Sequence, residues 1–154
     1  MPSRDSARSA DEELSVLIEE HGWAVRHVMG SPNASQFSYT VGLSAFGHAE
    51  IVVTGMPFDS AHIFLNLVGQ DLRDGIVVAH GIRTTRFTDS GDVAFIDAEN
   101  TEGLTAVHHR YGEVRALQLI WPDSTGAYPW ETGYRNPPEA QPLLGPVPDT
   151  FVEA

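Results

Sequence analysis

The stretch "YTVGLSAFGHAE" (residues 39–50) predicts the end of one β-strand, a glycine-containing loop and the start of another strand. On its N-terminal side, "QFSYTVGL" (36–43) alternates apolar and polar residues, as strands do. On its C-terminal side, "AEIVVTG" (49–55) is a short, mostly apolar run that predicts the next strand. The loop between the strands contains His48 and leads directly to Glu50, so these two residues are the first candidates for a chemical site.

Hydrophobic periodicity predicts the other elements of the domain. The predicted helices cover about residues 9–21, 57–75 and 104–112, and the further predicted strands are 23–28, 83–89, 92–99 and 114–121. The apolar stripe of the helix at 57–75 consists of Ile63, Phe64, Leu67, Val68 and Leu72. Strands and helices in this order, with short links, are typical of α+β proteins. We therefore predict one α+β domain with a largely antiparallel sheet and about three flanking helices.

The composition of the chain changes after Trp121. Seven of the ten prolines lie within residues 122–154, and proline neither donates to a sheet ladder nor continues a helix. The same segment contains the aromatic and aliphatic runs "AYPWETGY" and "PLLGPVP". We expect a flexible arm at 1–9, an α+β core at 10–121 and, at 122–154, a C-terminal tail that packs on the core.

The charge balance limits the partners of the protein. The net charge is −12, with 21 acidic residues against 9 basic ones, so nucleic acid and anionic membrane surfaces would be repelled. The chain has no cysteine, which excludes disulfides, thiolate nucleophiles and cysteine-based metal sites. It also has no apolar run of membrane-spanning length, and its N-terminus lacks the apolar core of a signal peptide. We expect a cytoplasmic protein.

His48 and Glu50 are two residues apart, so within a strand they would project from the same face. An imidazole beside a carboxylate can bind a divalent metal or serve in acid–base catalysis. A metal site needs a third ligand, and helical spacing turns His108 towards the core or a cleft. The sequence thus leaves two readings open: a catalytic or metal site of His48, Glu50 and His108, or a local hydrogen-bonded pair.

Aromatic residues and one aspartate form a second set of candidates, this time for ligand binding. Asp123 follows the last predicted core strand, in "WPDSTG" (121–126), where an aspartate ordinarily accepts backbone hydrogen bonds in a turn. Aromatic rings with polar tips are common both in ligand pockets and in protein interfaces. The predicted ligand-binding residues are Tyr39, Phe46, Trp121, Asp123 and Trp130.

Three segments together resemble a known family: "FSYTVGL" (37–43) with "GHAEIVVTG" (47–55), "LQLIWPDSTGAYPW" (117–130) and "QPLLG" (141–145). They are similar to those of a bacterial family catalogued only as a domain of unknown function. The resemblance covers roughly residues 12–145, and Ala49 stands where the family has a proline. It implies a single compact bacterial cytoplasmic domain, and it implies no activity.

Two classes of function follow from these observations. The first is a non-catalytic binding domain, a regulatory one included, for a protein partner or a small molecule, which could also form a homo-oligomer. The second is a metal-assisted or acid–base enzyme of hydrolase type, centred on His48 and Glu50, with a possible divalent metal as cofactor. The sequence contains no complete catalytic motif that would decide between them.

Overall fold

A computed structural model describes the backbone of residues 4–88 and 91–154, and the side chains within those ranges from residue 12 onwards. The elements are α1 (Arg4–His21), β1 (Ala24–Val28), β2 (Phe37–Val41), β3 (Glu50–Thr54), α2 (Phe58–Arg73), β4 (Ile82–Thr84), β5 (Val93–Asp97), α3 (Thr105–Tyr111), β6 (Ala116–Ile120) and β7 (Val152–Glu153). Helix α1 begins at Arg4, inside the segment predicted as an arm, because no glycine or proline interrupts residues 4–21. Part of the predicted arm, residues 1–3, lies outside the described residues.

The seven strands form one sheet in the order β1-β2-β3-β6-β5-β4-β7. The pairs β3–β6 and β4–β7 are parallel, whereas the other four pairs are antiparallel. The class α+β is confirmed, but the prediction of a largely antiparallel sheet is wrong, because the sheet is mixed. Hairpin signals identify strands that follow one another in sequence, whereas each parallel pair joins strands separated by more than 60 residues.

Helix α2 covers one face of the sheet. Its buried residues are Ala61, Leu65, Val68, Gly69 and Leu72. Two residues of the predicted stripe are exposed instead, Ile63 at 60% and Leu67 at 47%. The buried stripe includes small residues that a count of large apolar side chains overlooks: a Cβ at Gly69 would lie 2.6 Å from the Trp23 ring. The small residue allows the helix to pack closely against the start of β1.

Helices α1 and α3 cover part of the opposite face. Leu14 of α1 and Val107 of α3 pack in one apolar cluster with Tyr39 of β2 and Val52 of β3. Ile51 and Val53, the neighbours of Val52, belong to the cluster under α2, as the alternation of side chains along a strand requires. Among the described residues, no helix has the length and apolar character needed to cross a membrane.

The C-terminal tail covers the remainder of that face with an aromatic stack. Trp130 lies between Tyr128 and Phe151, with ring centroids 4.9 and 5.2 Å apart and nearly parallel planes. The guanidinium of Arg83 lies 5.0 Å above the Tyr128 ring on the same stack. The Tyr128 hydroxyl donates to Asp92 at 2.6 Å. Burial, reinforced by this bond to a carboxylate, raises the pKa of the Tyr128 phenol.

Buried amide side chains attach the tail to the sheet. Gln118 of β6 donates to the Pro142 carbonyl at 2.8 Å and accepts from the Leu144 amide at 2.7 Å. Gln141 of the tail bonds both the amide and the carbonyl of Trp121, at 2.9 and 2.8 Å. Gln118 and Gln141 are at most 1% exposed. Gln118 thus bonds backbone groups of the tail that no regular secondary structure satisfies, and Gln141 does the same for the backbone of Trp121.

Close backbone contacts complete the attachment of the tail. A Cβ at Gly55, after β3, would lie 1.7 Å from the Ala140 carbonyl oxygen, and Gly55 has a φ of +75°. A Cβ at Gly145 of the tail would lie 2.0 Å from the Asp97 carbonyl oxygen. Only glycine permits these approaches of tail and sheet.

Candidate functional site

Glu50, the first predicted site residue, is fully buried at the start of β3. Its carboxylate accepts five hydrogen bonds, from the amides of Gly42, Leu43 and Ser44 and from the hydroxyls of Thr40 and Ser44, at 2.6 to 3.1 Å. These donors surround the start of a short 3₁₀ helix, Leu43–Phe46, whose first amides have no partner within the helix. The arrangement attaches the turn after β2 to β3, and it fills the acceptor sites of the carboxylate. We interpret Glu50 as a structural anchor.

His48 does not pair with Glu50. Its Nδ1 lies 2.8 Å from the Ala49 carbonyl oxygen, an acceptor, so the proton is on Nδ1 and the Nε2 of the neutral ring is an acceptor. His108 is exposed on α3, and its Nε2 lies 2.9 Å from the Thr101 carbonyl oxygen. Among the described side chains, no group of three or more histidines, aspartates and glutamates is placed to hold a metal ion. The structure therefore does not assemble His48, Glu50 and His108 into a metal centre.

Asp123 is 6% exposed and organises the turn after β6. It accepts from the amide and hydroxyl of Thr125, from the amide of Ala127 and, at 2.6 Å, from the amide of Arg135. The bond from the Thr125 hydroxyl holds the pKa of the carboxyl well below its usual range. Burial opposes this effect, and the amides of Arg135, Ala127 and Thr125 reinforce it. This is the ordinary turn chemistry that the sequence allowed.

The four predicted aromatic ligand residues lie in different places. Tyr39 is 1% exposed in the core, where its hydroxyl accepts from the Ala106 amide at 3.2 Å. Trp121 donates to the Thr54 carbonyl at 3.0 Å and, with Asp123, lines a groove of about 460 Å³. Trp130 belongs to the aromatic stack. Phe46 is 45% exposed, and its ring lies against Gly22. The structure does not bring these four side chains into one pocket.

A cleft that we call the tail cleft opens between three segments: the β1–β2 loop at 31–35, the loop before α3 at 100–104 and the tail at 139–144. Its volume is about 700 Å³, within the range of small-molecule sites. Its partly or fully buried apolar lining residues are Phe37, Leu104, Pro142 and Leu144, and the apolar residues Pro32 and Ala34 of the lining are exposed. Its rim consists of the exposed polar residues Asn33, Asn100, Glu102 and Glu139. The hydroxyl of Ser35 donates to the Glu139 carbonyl at 2.8 Å and so connects two of the three walls.

A second cleft, which we call the edge cleft, lies where β3 and β6 begin. The segment 75–80, which follows α2, forms part of its lining. Its volume is about 650 Å³. Its ionisable lining residues are His48, His80, Asp97 and Arg115. Leu72, Ile76 and Val78 contribute apolar surface. Of the predicted site residues, His48 and Phe46 line this cleft.

None of the predicted site residues lines the tail cleft, and the sequence contained only a weak signal for it. Phe37 belongs to a correctly predicted strand, but Glu102 and Glu139 lie in loops about 37 residues apart, in segments with ordinary turn composition. The edge cleft offered a better signal. His80, Asp97 and Arg115 each lie at or within two residues of the end of a strand, where side chains from neighbouring strands meet.

The chain belongs to the family described as Domain of unknown function (DUF4262), which matches residues 17–135. The match includes the whole of the edge cleft, and the tail cleft except for its wall at 139–144. No curated protein and no solved structure matches the chain. The family therefore identifies no specific activity, and function must be argued from the two clefts.

Proposed function

We propose that this protein is a small-molecule-binding domain whose ligand occupies the tail cleft. The observation that carries the proposal is the combination of size and surface: a cleft of about 700 Å³ with an apolar floor and an exposed polar rim. Pockets for small ligands have this composition, in which apolar contacts supply affinity and a few polar groups fix orientation.

The floor supports binding of a molecule with an apolar part. Leu104 is 1% exposed, whereas Phe37 and Leu144 are partly exposed and present ring and aliphatic surface to the cleft. Covering such surface gains roughly 25 cal/mol per Å² of apolar area removed from water. A ligand with one ring or a short aliphatic chain would thus gain affinity here.

The charge of the lining favours a neutral or cationic molecule over an anionic one. Glu102 and Glu139 lie on the rim, and none of the arginines or histidines whose side chains are described lines the cleft. The net charge of −12 acts in the same direction at longer range. The amides of Asn33 and Asn100 supply both donors and acceptors, so the rim can orient a polar group of either kind.

A thermal-shift screen of a fragment library, sorted into cationic, neutral and anionic compounds, tests this proposal. We expect cationic and neutral fragments to raise the melting temperature more often than anionic ones. Ala34 is an exposed residue of the lining, and Ala34→Trp should fill the cleft and abolish these shifts. Ala45→Trp is the matched control, because Ala45 is exposed and outside the cleft.

Shifts that persist in Ala34→Trp would contradict the proposal. The charge preference is tested separately with Glu102→Gln and Glu139→Gln, each of which should weaken the binding of cationic fragments. Glu113 is an exposed glutamate outside the lining, so Glu113→Gln should leave the binding of cationic fragments unchanged. A protein partner and self-association stay predictions, and sedimentation velocity of the full chain tests the latter.

A further inference from the structure

The edge cleft gathers ionisable residues from four neighbouring strands at one edge of the sheet. In sheet order these strands are β3, β6, β5 and β4. His48 precedes β3, Arg115 precedes β6, Asp97 ends β5 and His80 precedes β4. Because β3 and β6 are parallel and β5 runs against β6, these positions meet at the same edge. All four residues line the same cleft of about 650 Å³.

The two imidazoles present different groups to a ligand. The Nδ1 of His80 accepts the Asp97 amide at 2.8 Å, and an amide can only donate, so the proton of the neutral ring is on Nε2. The Nδ1 of His48 donates to the Ala49 carbonyl, so its Nε2 is the acceptor of the neutral ring. The cleft thus contains one imidazole with an N–H donor at Nε2 and one with an acceptor there.

Arg115 supplies a positive charge that no described acidic side chain neutralises. Its side chain is exposed, and it forms no ion pair within the described part of the chain, whereas Arg83 pairs with Asp92 and Arg86 with Asp71. Asp97 is the acidic residue of the lining, and its Oδ2 lies 3.7 Å from the Nδ1 of His80. A guanidinium is planar and remains protonated, so it is suited to bidentate binding of a carboxylate or phosphate.

We infer that the edge cleft is a second binding site, for a small organic anion whose carboxylate or phosphate pairs with Arg115. The His80 Nε2–H donates to the same anion or to a neighbouring oxygen of the ligand, and the His48 Nε2 accepts from a ligand hydroxyl. The apolar body of the ligand packs on Leu72, Ile76 and Val78. This site is independent of the proposed function of the tail cleft.

The acidity of the whole chain does not prevent such binding. Charges are screened over about 8 Å at physiological ionic strength, so carboxylates farther away contribute little to the potential in the cleft. The acidic residue of the lining is Asp97, whose side chain is 64% exposed and therefore well solvated. Within the lining, the groups that donate to an anion are the Arg115 guanidinium and the His80 Nε2–H, and Asp97 is the carboxylate that opposes them.

Three aromatic probes of similar size test the inference: benzoate, benzyl alcohol and benzylamine. In ¹⁵N NMR titrations of the full chain, benzoate should cause saturable shifts of the amides of Ala49, Asp97 and Ala116. Benzyl alcohol should cause weaker shifts there, and benzylamine should cause none. Phenyl phosphate in place of benzoate shows whether the site distinguishes the two kinds of anion.

Arg115→Gln should weaken benzoate binding by about tenfold or more, as expected when a charge-assisted hydrogen bond is lost. Arg26→Gln is the matched control, because Arg26 is an exposed arginine of β1 that forms no ion pair with the described side chains and lies outside the lining. Its loss should leave the affinity unchanged. If Arg115→Gln does not fold, His80→Gln, which should also weaken binding, decides the question. Equal shifts from all three probes, shifts that do not saturate, or wild-type affinity in Arg115→Gln would overturn the inference.

Discussion

Helix α2 and the C-terminal tail cover opposite faces of one sheet, and the tail, besides its apolar contacts, is held by hydrogen bonds from sheet side chains to its backbone. Under α2 the sheet presents apolar side chains such as Ile51 and Phe95. Under the tail it presents Gln118, fully buried, and Thr54, which is 4% exposed. Both Gln118 and Thr54 donate to the Pro142 carbonyl, each at 2.8 Å.

The difference follows from the backbone of each cover. A helix satisfies its own amides and carbonyls, so it can be packed with apolar side chains alone. The tail has only a short 3₁₀ turn, Pro138–Ala140, and the two residues of β7, so its backbone groups need partners from the sheet. Buried glutamines under an extended segment are therefore structural requirements, even where polar burial would otherwise suggest a catalytic site.

The largest loss of stability is expected for a buried leucine of α2. Leu65 is fully buried under α2, and Leu65→Ala should destabilise the protein by about 2–5 kcal/mol because it leaves a cavity. Urea unfolding at neutral pH measures the loss. Leu67→Ala on the same helix is the control, since Leu67 is 47% exposed and should cost far less. Equal losses for the two leucines would contradict the assignment of the buried face.

A smaller effect tests the tail side. Gln118→Leu preserves approximate volume but leaves the Leu144 amide without its partner, which should cost about 1–3 kcal/mol. Hydrogen exchange of the Leu144 amide should accelerate, while amides of α2 keep their protection. The exposed Gln70→Leu is the control. If hydrogen exchange accelerates equally in α2 and the tail, the two segments open together, and the prediction that Gln118 holds the tail specifically is contradicted.

The smallest effect concerns acid. Because the pKa of Asp123 is lowered on folding from an ordinary value of 3.8, its carboxylate stabilises the fold fully above about pH 4. This contribution is lost as the pH falls below that value towards the lower folded pKa. Asp123→Asn should therefore make stability depend less on pH between about 4 and 2. Urea unfolding across that range checks this, with the exposed Asp149→Asn as the control. Parallel curves for Asp123→Asn and wild type would contradict the role of the turn.

Local sequence patterns predict elements here better than they predict neighbours or clefts. The alternation in 36–43 and the apolar run in 49–55 correspond to β2 and β3, because each pattern reflects the two faces of a single strand. The parallel pairing of β3 with β6 was not predicted, since it depends on contacts between residues distant in sequence. The apolar stripe of α2 was partly misassigned: Ala61 and Gly69 carry no strong hydrophobic signal, and Leu65 was left out although it is fully buried.

The hydrogen-bond partners of Glu50 were not predicted either, for a related reason. The spacing of His48 and Glu50 is compatible with a joint site, but the carboxylate is taken by amides of the loop that precedes it. Sequence spacing identifies which side chains could meet, whereas the conformation of a glycine-flanked loop decides which donors reach them first. Gly42 has a φ of +133°, and a Cβ there would lie 2.6 Å from the Gly22 carbonyl oxygen. Hence the turn that surrounds Glu50 needs glycine at this position.

In the proposed function, the tail completes the fold and also forms one wall of a ligand site. An NMR fragment screen of the ¹⁵N-labelled full chain tests it most directly. We expect cationic and neutral hits to shift the amides of Asn33, Gly103 and Leu144 together, and these shifts to disappear in Ala34→Trp. Hits that map elsewhere, or that shift Asn33 and Gly103 without any response at Leu144, would contradict it.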